Sequence, residues 1–331
     1  EPCNLFALHT IEQALKQSNV PYSQNVGVIG SSITMGNYFS MDTWRPMVSE
    51  TGRVRPKLLL NCAKDFMSGF ISQHYGYKGL NTSLYASCAT SQFSIDYAMQ
   101  HVDDYDYMVC VMSEHGVNEA DINFFNMIHA MGTKSCPFDD DRDGFIMGEG
   151  SGCFILESEE KAKKRNANII AYLYSPGFAS DISSPTSPDR DGAGAKLSMR
   201  NALKNNDVSF VNAHGTSTPM GDEIEYNAIK EVLGNIPIVS NKSKIGHTMG
   251  ACGIIEAIYT IKSLQSGQIP DNHNITKCSF DTDGMITDKN RTTTGKKALN
   301  NSFGFGGKCA SQLIEIIEIS YRTVINSYRF L

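Results

Sequence analysis

"VSFVNAHGTSTPMGDEIEYNAIKEVLGNIPIVSNKSKIGHTMGACGIIEAIYTIKSLQSG", residues 208–267, sets two short apolar runs against two long amphipathic ones. "VSFVNAH" and "IPIVSNK" are short and rich in Val and Ile, which predicts strands. "GDEIEYNAIKEVLG" closes on Gly234 and "GACGIIEAIYTIKSLQSG" closes on Gly267. Both space apolar residues three and four apart, which predicts helices with glycine at their ends. Strand, helix, strand, helix is the rhythm of an α/β fold whose strands are predominantly parallel.

The same rhythm runs outward to both ends. Leu5, Leu8, Ile11 and Leu15 share one helical face, and "SNVPYSQN" closes that helix. "NVGVIGSSI" (25–33) predicts a buried strand, and "RPKLLLNCAKDFMSGFISQHYG" predicts a helix ending at Gly76. "NTSLYA" predicts a strand that passes into a helix over Ala89–Val102. "YDYMVCVMSE" is a further strand and "DINFFNMIHAM" a further helix. "GFIMGEGSGCFILES" predicts a hairpin of core strands, "EEKAKKRNA" a short charged helix, "IIAYLYSPGFAS" one strand and "GAGAKLSMRNALKNN" a helix. No low-complexity linker interrupts the chain, so the expectation is one two-lobed body, residues 1–160 and 161–331. The loop "SDISSPTSPDRDG" (180–192) is too long for a simple turn, which marks it as functional.

Composition narrows the function classes. The 331 residues are 41% apolar and 19% charged, ample for a core, and the net charge of −6 argues against a nucleic-acid binder. Nine cysteines, an odd number with no CxxC pair, argue against a disulfide framework or zinc site and fit a reducing cytoplasm. No apolar run is long enough to span a bilayer, and "EPCNLFALHTIEQALKQSNV" does not have the pattern of a signal peptide.

Four stretches carry chemistry when taken together. "ASCATS" puts Cys88 at a strand-to-helix junction, where helix amides favour a thiolate and stabilise a developing oxyanion. "VNAHGTSTP" puts His214 directly after a strand, and "KIGHTMGACG" puts His247 before a Gly/Ala-rich helix suited to close packing. "NSFGFGG" is a turn whose glycines adopt positive φ and whose Phe305 closes over a pocket. One cysteine and two histidines at strand ends is the pattern of a site where strand ends converge. "FDDDRDGFIMGEG" lacks the spacing of a calcium loop and is read as a structural acidic turn.

These stretches, in this order, together with "RDGFIMGEGSG" and "ALNNSFGFGG", resemble the elongating β-ketoacyl-acyl-carrier-protein synthases of the thiolase superfamily. The resemblance implies a five-layer αβαβα sandwich of two similar halves, usually a homodimer or a heterodimer with a second ketosynthase-like subunit. It implies further secondary structure before the equivalent of Glu1. It assigns Cys88 as the nucleophile, and His214 and His247 as donors to an enolate oxygen, one of them also assisting decarboxylation. Cys88 and Phe305 would supply oxyanion-hole N–H groups. Lys242 and Glu256 would orient the histidines, with Asp222 in the same network. Thr216 and Thr218 would bind the pantetheine arm of an acyl carrier protein, and no cofactor or metal is implied. Phe125 and Phe305 would gate the acyl pocket together with the loop 181–190. Arg53, Arg55, Lys57 and Lys64 are candidate docking charges for the acidic carrier. The chain departs from the family at Val111, Met112 and Ser113, at "YAS" before Cys88, and at Lys308-Cys309 in place of the usual Thr-Asn. Two other readings are a non-catalytic chain-length-factor subunit, which would lack the nucleophile, and a degradative thiolase, which would need a second catalytic cysteine.

Overall fold

A computed structural model describes residues 2–37, 49–50, 52 and 63–317. The first sheet contains β1 (Val26–Ser31), β2 (Asn81–Thr82), β3 (Tyr107–Glu114) and β4 (Gly150–Leu156), in the order β2-β1-β3-β4. Every residue of β1 and β3 is buried, as a sheet covered on both faces requires.

The second sheet contains β5 (Ala171–Leu173), β6 (Gly177–Ser180), β7 (Val211–Asn212) and β8 (Ile238–Val239). A small ribbon of β9 (Gln268–Ile269) and β10 (Arg291–Thr292) stands apart, and β11 (Lys297–Gly304) and β12 (Lys308–Ile316) return to the sheet. Its order is β5-β12-β11-β7-β8, with β6 also beside β12.

Helices alternate with the sheets. Pro2–Ser18 and Phe66–Tyr75 pack on the outer face of the first sheet, Ala193–Leu203 packs on β6 and β12 of the second, and Pro219–Leu233 lies against that helix. Thr90–Gln100 and Cys252–Ser266 lie between the sheets, touching each other and strands of both. The result is the five-layer αβαβα arrangement, with an apolar cluster in each gap: around Val28 and Ile71, Ile29 and Ile95, Ile261 and Leu313's neighbour Ile314, and Val211 and Ile229. The two central helices cross closely: a Cβ at Gly253 would stand 2.3 Å from Gln92 Oε1.

Three expectations need correction. The strands are not predominantly parallel: β1 runs parallel to β2 and β3, and β7 to β8 and β11, but β4 and β12 pair antiparallel. The β11–β12 pair is a hairpin closed by Gly306 (φ 77°) and Gly307 (φ 72°), and a hairpin is necessarily antiparallel. "GFIMGEG" does not form a strand of a core hairpin; only Gly150–Leu156 enters the sheet. "IIAYLYSPGFAS" splits into β5 and β6 around Pro176, which has no N–H for a ladder. The departures in β3 face the core: Val111 packs toward Pro2–Ser18, Met112 toward the central helices, and Ser113 Oγ donates to Cys3 O at 2.7 Å.

Candidate active site

The strand expected over "NTSLYA" ends at Thr82, and Cys88 sits on a sharp elbow between it and the next helix. Ser87 adopts φ 51°, a left-handed conformation unusual outside glycine, just before the helix Thr90–Gln100 begins. Thr90 Oγ1 accepts from Ala86 N at 2.9 Å and donates to Ser87 O at 2.7 Å, which holds the elbow from inside. The end of β11 presses against it: a Cβ at Gly304 would lie 2.8 Å from Ala86 O and 3.0 Å from Cys88 N. Ser87 Oγ donates to Phe305 O at 3.1 Å, so the elbow and the glycine turn are one unit.

His247 follows the short helix Lys242–Ile245 and precedes a 3-10 turn over Met249–Ala251. The segment expected as a strand is the strap that places it. His247 N donates to Ile146 O at 2.7 Å, Gly148 N donates to His247 O at 2.9 Å, and the Phe145 ring packs edge-on 5.3 Å from the imidazole. His214 is held by its main chain. Its N–H donates to Glu225 Oε1 at 2.8 Å, Gly215 N–H to Glu225 Oε2 at 2.8 Å, and its carbonyl accepts from Lys242 Nζ at 2.6 Å. Lys242 also pairs with Glu256, and both side chains are almost wholly buried, 1% and 0% exposed.

These elements bring three reactive groups together. Cys88 Sγ lies 3.1 Å from His247 Nε2, and the His214 and His247 rings stand 5.4 Å apart at 84°. Burial pushes the Cys88 thiol up to about 12; Lys242 pulls it down, while Glu114 and Glu256 push it further up. The helix-end effect expected from the sequence is therefore outweighed by desolvation, and the resting group is a thiol. Burial, with Lys242 adding to it, holds both imidazoles well below the ordinary histidine range, so both are neutral. Neither Nδ1 has a hydrogen-bond partner among the described residues, so neither ring is locked in one tautomer.

The nearest ligand atoms of Cys88, His214 and His247 lie within 4.8 Å of one another, the one such group among the described residues. The donor set suits a soft dication. The buried ammonium of Lys242 opposes one, because it disfavours positive charge on both histidines.

A cavity of about 480 Å³ runs to Cys88 and His214, lined by Thr216, Thr218 and Phe305 and roofed by residues 184–188. Thr216 and Thr218 share a hydrogen bond at 3.1 Å between their hydroxyls. Phe125 does not line this cavity; it packs 5.3 Å from Phe145, one ring removed from His247. Asp222 lies outside the lysine network. Its Oδ2 accepts from Phe138 N at 2.8 Å and faces Arg142 at 3.9 Å, so it anchors the acidic turn. That turn is structural: Asp139 accepts from Thr276 and Lys277 amides, tying the two halves together. Arg53, Arg55 and Lys57 lie outside the described residues, and Lys64 Nζ donates to Ile33 O at 2.7 Å.

Glu225 takes the place in the network expected of Asp222 and was missed. Its signal was visible: with Asp222 it lies on the buried face of Pro219–Leu233 that also holds Tyr226 and Ile229, an acid on an apolar stripe. Burial raises Asp222 to about 7. A carboxyl raised above its unfolded value of about 3.9 contributes stability that is complete below that value and lost as pH rises through about 7. The wild type is expected to lose stability relative to Asp222→Asn between about pH 4 and about pH 7, by at most about 4 kcal/mol, in urea titrations. A difference between the two curves that does not change with pH contradicts this.

The chain matches the β-ketoacyl synthase N-terminal domain over residues 1–162 and the C-terminal domain over residues 171–276. It belongs to the β-ketoacyl synthase family. A mitochondrial 3-oxoacyl-[acyl-carrier-protein] synthase of Arabidopsis thaliana is 38% identical over 285 residues, 79% of this chain and 61% of that protein. The 3-oxoacyl-[acyl-carrier-protein] synthase 2 of Coxiella burnetii is 30% identical over 329 residues, 91% of this chain and 79% of the relative. The chain thus spans less than two thirds of the plant protein. Among solved structures, a type II polyketide ketosynthase in complex with its acyl-carrier protein superposes with TM-score 0.90 at 25% identity, covering 96% of this chain and 85% of that one. A β-ketoacyl synthase from Burkholderia phymatum superposes with TM-score 0.86 at 27% identity, covering 96% and 83%. Among the described residues, no helix is long and apolar enough to cross a membrane.

Proposed function

We propose that this chain is a β-ketoacyl-acyl-carrier-protein synthase, an acyltransferase that extends an acyl chain by decarboxylative condensation. The observation that carries the reading is the contact of Cys88 Sγ with His247 Nε2 at 3.1 Å, with His214 beside them.

A thiol that rests protonated needs a base at the moment of attack, and His247 Nε2 is within reach. Sγ attacks the carbonyl of an acyl-carrier thioester while His247 takes the thiol proton. The tetrahedral oxyanion is held by the N–H groups of Cys88 and Phe305. Collapse expels the carrier sulfur, which receives the proton from His247, and the acyl group stays on Cys88. A malonyl-carrier thioester then enters past Thr216 and Thr218 and loses CO2. The electron pair of the broken bond forms an enolate whose oxygen faces N–H groups of His214 and His247. The enolate carbon attacks the Cys88 thioester, and a β-ketoacyl-carrier leaves. The Cys88 sulfur takes up one proton, which restores the thiol. Lys242, Glu256 and Glu225 fix the main chain and charge around the histidines.

The partner is an acyl carrier protein, as in the ketosynthase complex that this fold resembles, and no cofactor enters the steps. Assembly as a homodimer or with a second ketosynthase-like subunit is part of the proposal; the ishigamide ketosynthase/chain length factor is a structural neighbour with TM-score 0.88. A cytoplasmic setting is part of the proposal. Purified protein given acyl- and malonyl-carrier thioesters is expected to release CO2 and form the β-keto product. A protein that neither gains the acyl mass nor releases CO2 overturns the proposal. Carriers of different chain length then read out the pathway, fatty-acid or polyketide, by which of them acylates Cys88.

A further inference from the structure

Lys308 follows the glycine turn directly, where the resemblance leads one to expect threonine. Its ammonium lies 3.3 Å from Phe305 O, and Ser87 Oγ donates to the same oxygen at 3.1 Å. Ser87 is the strained residue before Cys88, so one carbonyl joins the nucleophile elbow, the Phe305 turn and a positive charge. The side chain folds back over the turn: a Cβ at Gly306 would stand 2.9 Å from Lys308 Nζ.

The loop over residues 181–188 grips the other side of the turn. Gly306 N donates to Pro185 O and Asp181 N donates to Gly307 O, both at 2.7 Å. A Cβ at Gly307 would lie 1.8 Å from Asp181 O, so nothing larger than glycine fits between loop and turn. Phe305 and that loop line the same cavity beside Cys88. Lys308 takes part in none of the ion pairs among the described residues, which leaves its charge directed at the Phe305 carbonyl.

We propose that Lys308 is a positioning residue: its ammonium clamps the Phe305 carbonyl and holds the turn closed over Cys88, setting how readily the cavity admits an acyl thioester. A hydrogen bond from a cation is stronger than one from a neutral donor. Without it Ser87 Oγ holds the carbonyl alone, and the balance between closed and open turns shifts toward open. The consequence for turnover rests on the reading of Cys88 as nucleophile, but closure can be measured without substrate.

The test is the rate at which iodoacetamide alkylates Cys88, followed by intact mass and peptide mapping. Lys308→Met and Lys308→Thr remove the donor, and both are expected to alkylate about fivefold faster than wild type. Lys308→Arg restores the donor and is expected to stay within about twofold of wild type. Adding Lys308→Met to Phe305→Ala is expected to give no further acceleration, since no ring remains to be held. The pH profile of alkylation is expected to keep its shape. Either donor-removing variant, if folded, decides the matter, and Thr is a good strand former at this position. Wild-type rates in those variants, further acceleration on Phe305→Ala, or a shifted pH profile each overturn the proposal. If alkylation follows the expected order while no variant and no wild type condenses acyl carriers, the clamp stands and the proposed function fails.

Discussion

Replacing Cys88 by alanine is expected to remove the acyl-enzyme mass shift and to lower condensation by at least about 10⁴-fold, because residues that act as one nucleophilic unit fail together. The elbow that presents Cys88 is held by Thr90 and Ser87, not by the thiol, so the variant is expected to fold. Specificity of labelling is the sharper check. Cys252 lies directly behind, its Sγ donating to Cys88 O at 3.3 Å, and it is fully buried with its thiol pushed well above the ordinary range. An acyl mass that persists in Cys88→Ala and maps to Cys252 sinks the assignment. Acylation of the wild type should be level in pH between an imidazole limb well below 6.5 and a thiol limb near 12, because the resting pair is neutral thiol and neutral imidazole. A rate that climbs steadily through neutral pH indicates attack by a thiolate formed in advance.

The meeting of Cys88, His214 and His247 could be read from the chain because each stands at a break in a local pattern. Cys88 stands just before a helix, His214 just after β7, and His247 between Gly246, which stops one helix, and Gly250 at the start of the next. Local pattern was silent where long-range contact decides. "GFIMGEG" has the apolar content of a strand, yet Ile146 and Gly148 give their main-chain groups to His247, about a hundred residues away, and so leave the sheet. The strands β11 and β12, the longest of the second sheet, hide behind buried Asn300, Asn301, Ser311 and Gln312, a polarity that reads as loop. Two of them pair with each other and with the network: Asn301 Nδ2 donates to Glu225, and Ser311 Oγ donates to Asn301, while Asn300 Oδ1 and Gln312 Oε1 have no partner among the described residues. Asp222 and Glu225 are three apart on one helix face, and only the direction of each carboxylate separates an anchor of the acidic turn from a holder of His214.

Lys242→Met is expected to show whether that buried network acts on chemistry or only on stability. The substitution leaves the Glu256 carboxylate buried without its cation, which costs about 3–5 kcal/mol. It also leaves His214 O without the donor at 2.6 Å that fixes it. Activity is expected to fall about 10- to 100-fold, as when a group that orients a reacting side chain is lost. Adding Glu256→Leu removes the orphaned charge, and an apolar pair of similar volume restores most of the stability. Turnover should not return with it. Lys242 is a cause of the depressed basicity of both histidines and of the pull that lowers Cys88. Its loss therefore moves the acid limb of the activity profile toward higher pH, although burial still dominates. Double variants that regain both stability and wild-type turnover would make the pair a structural plug. Regained stability with low turnover and a displaced acid limb makes it the device that keeps two imidazoles neutral beside a thiol.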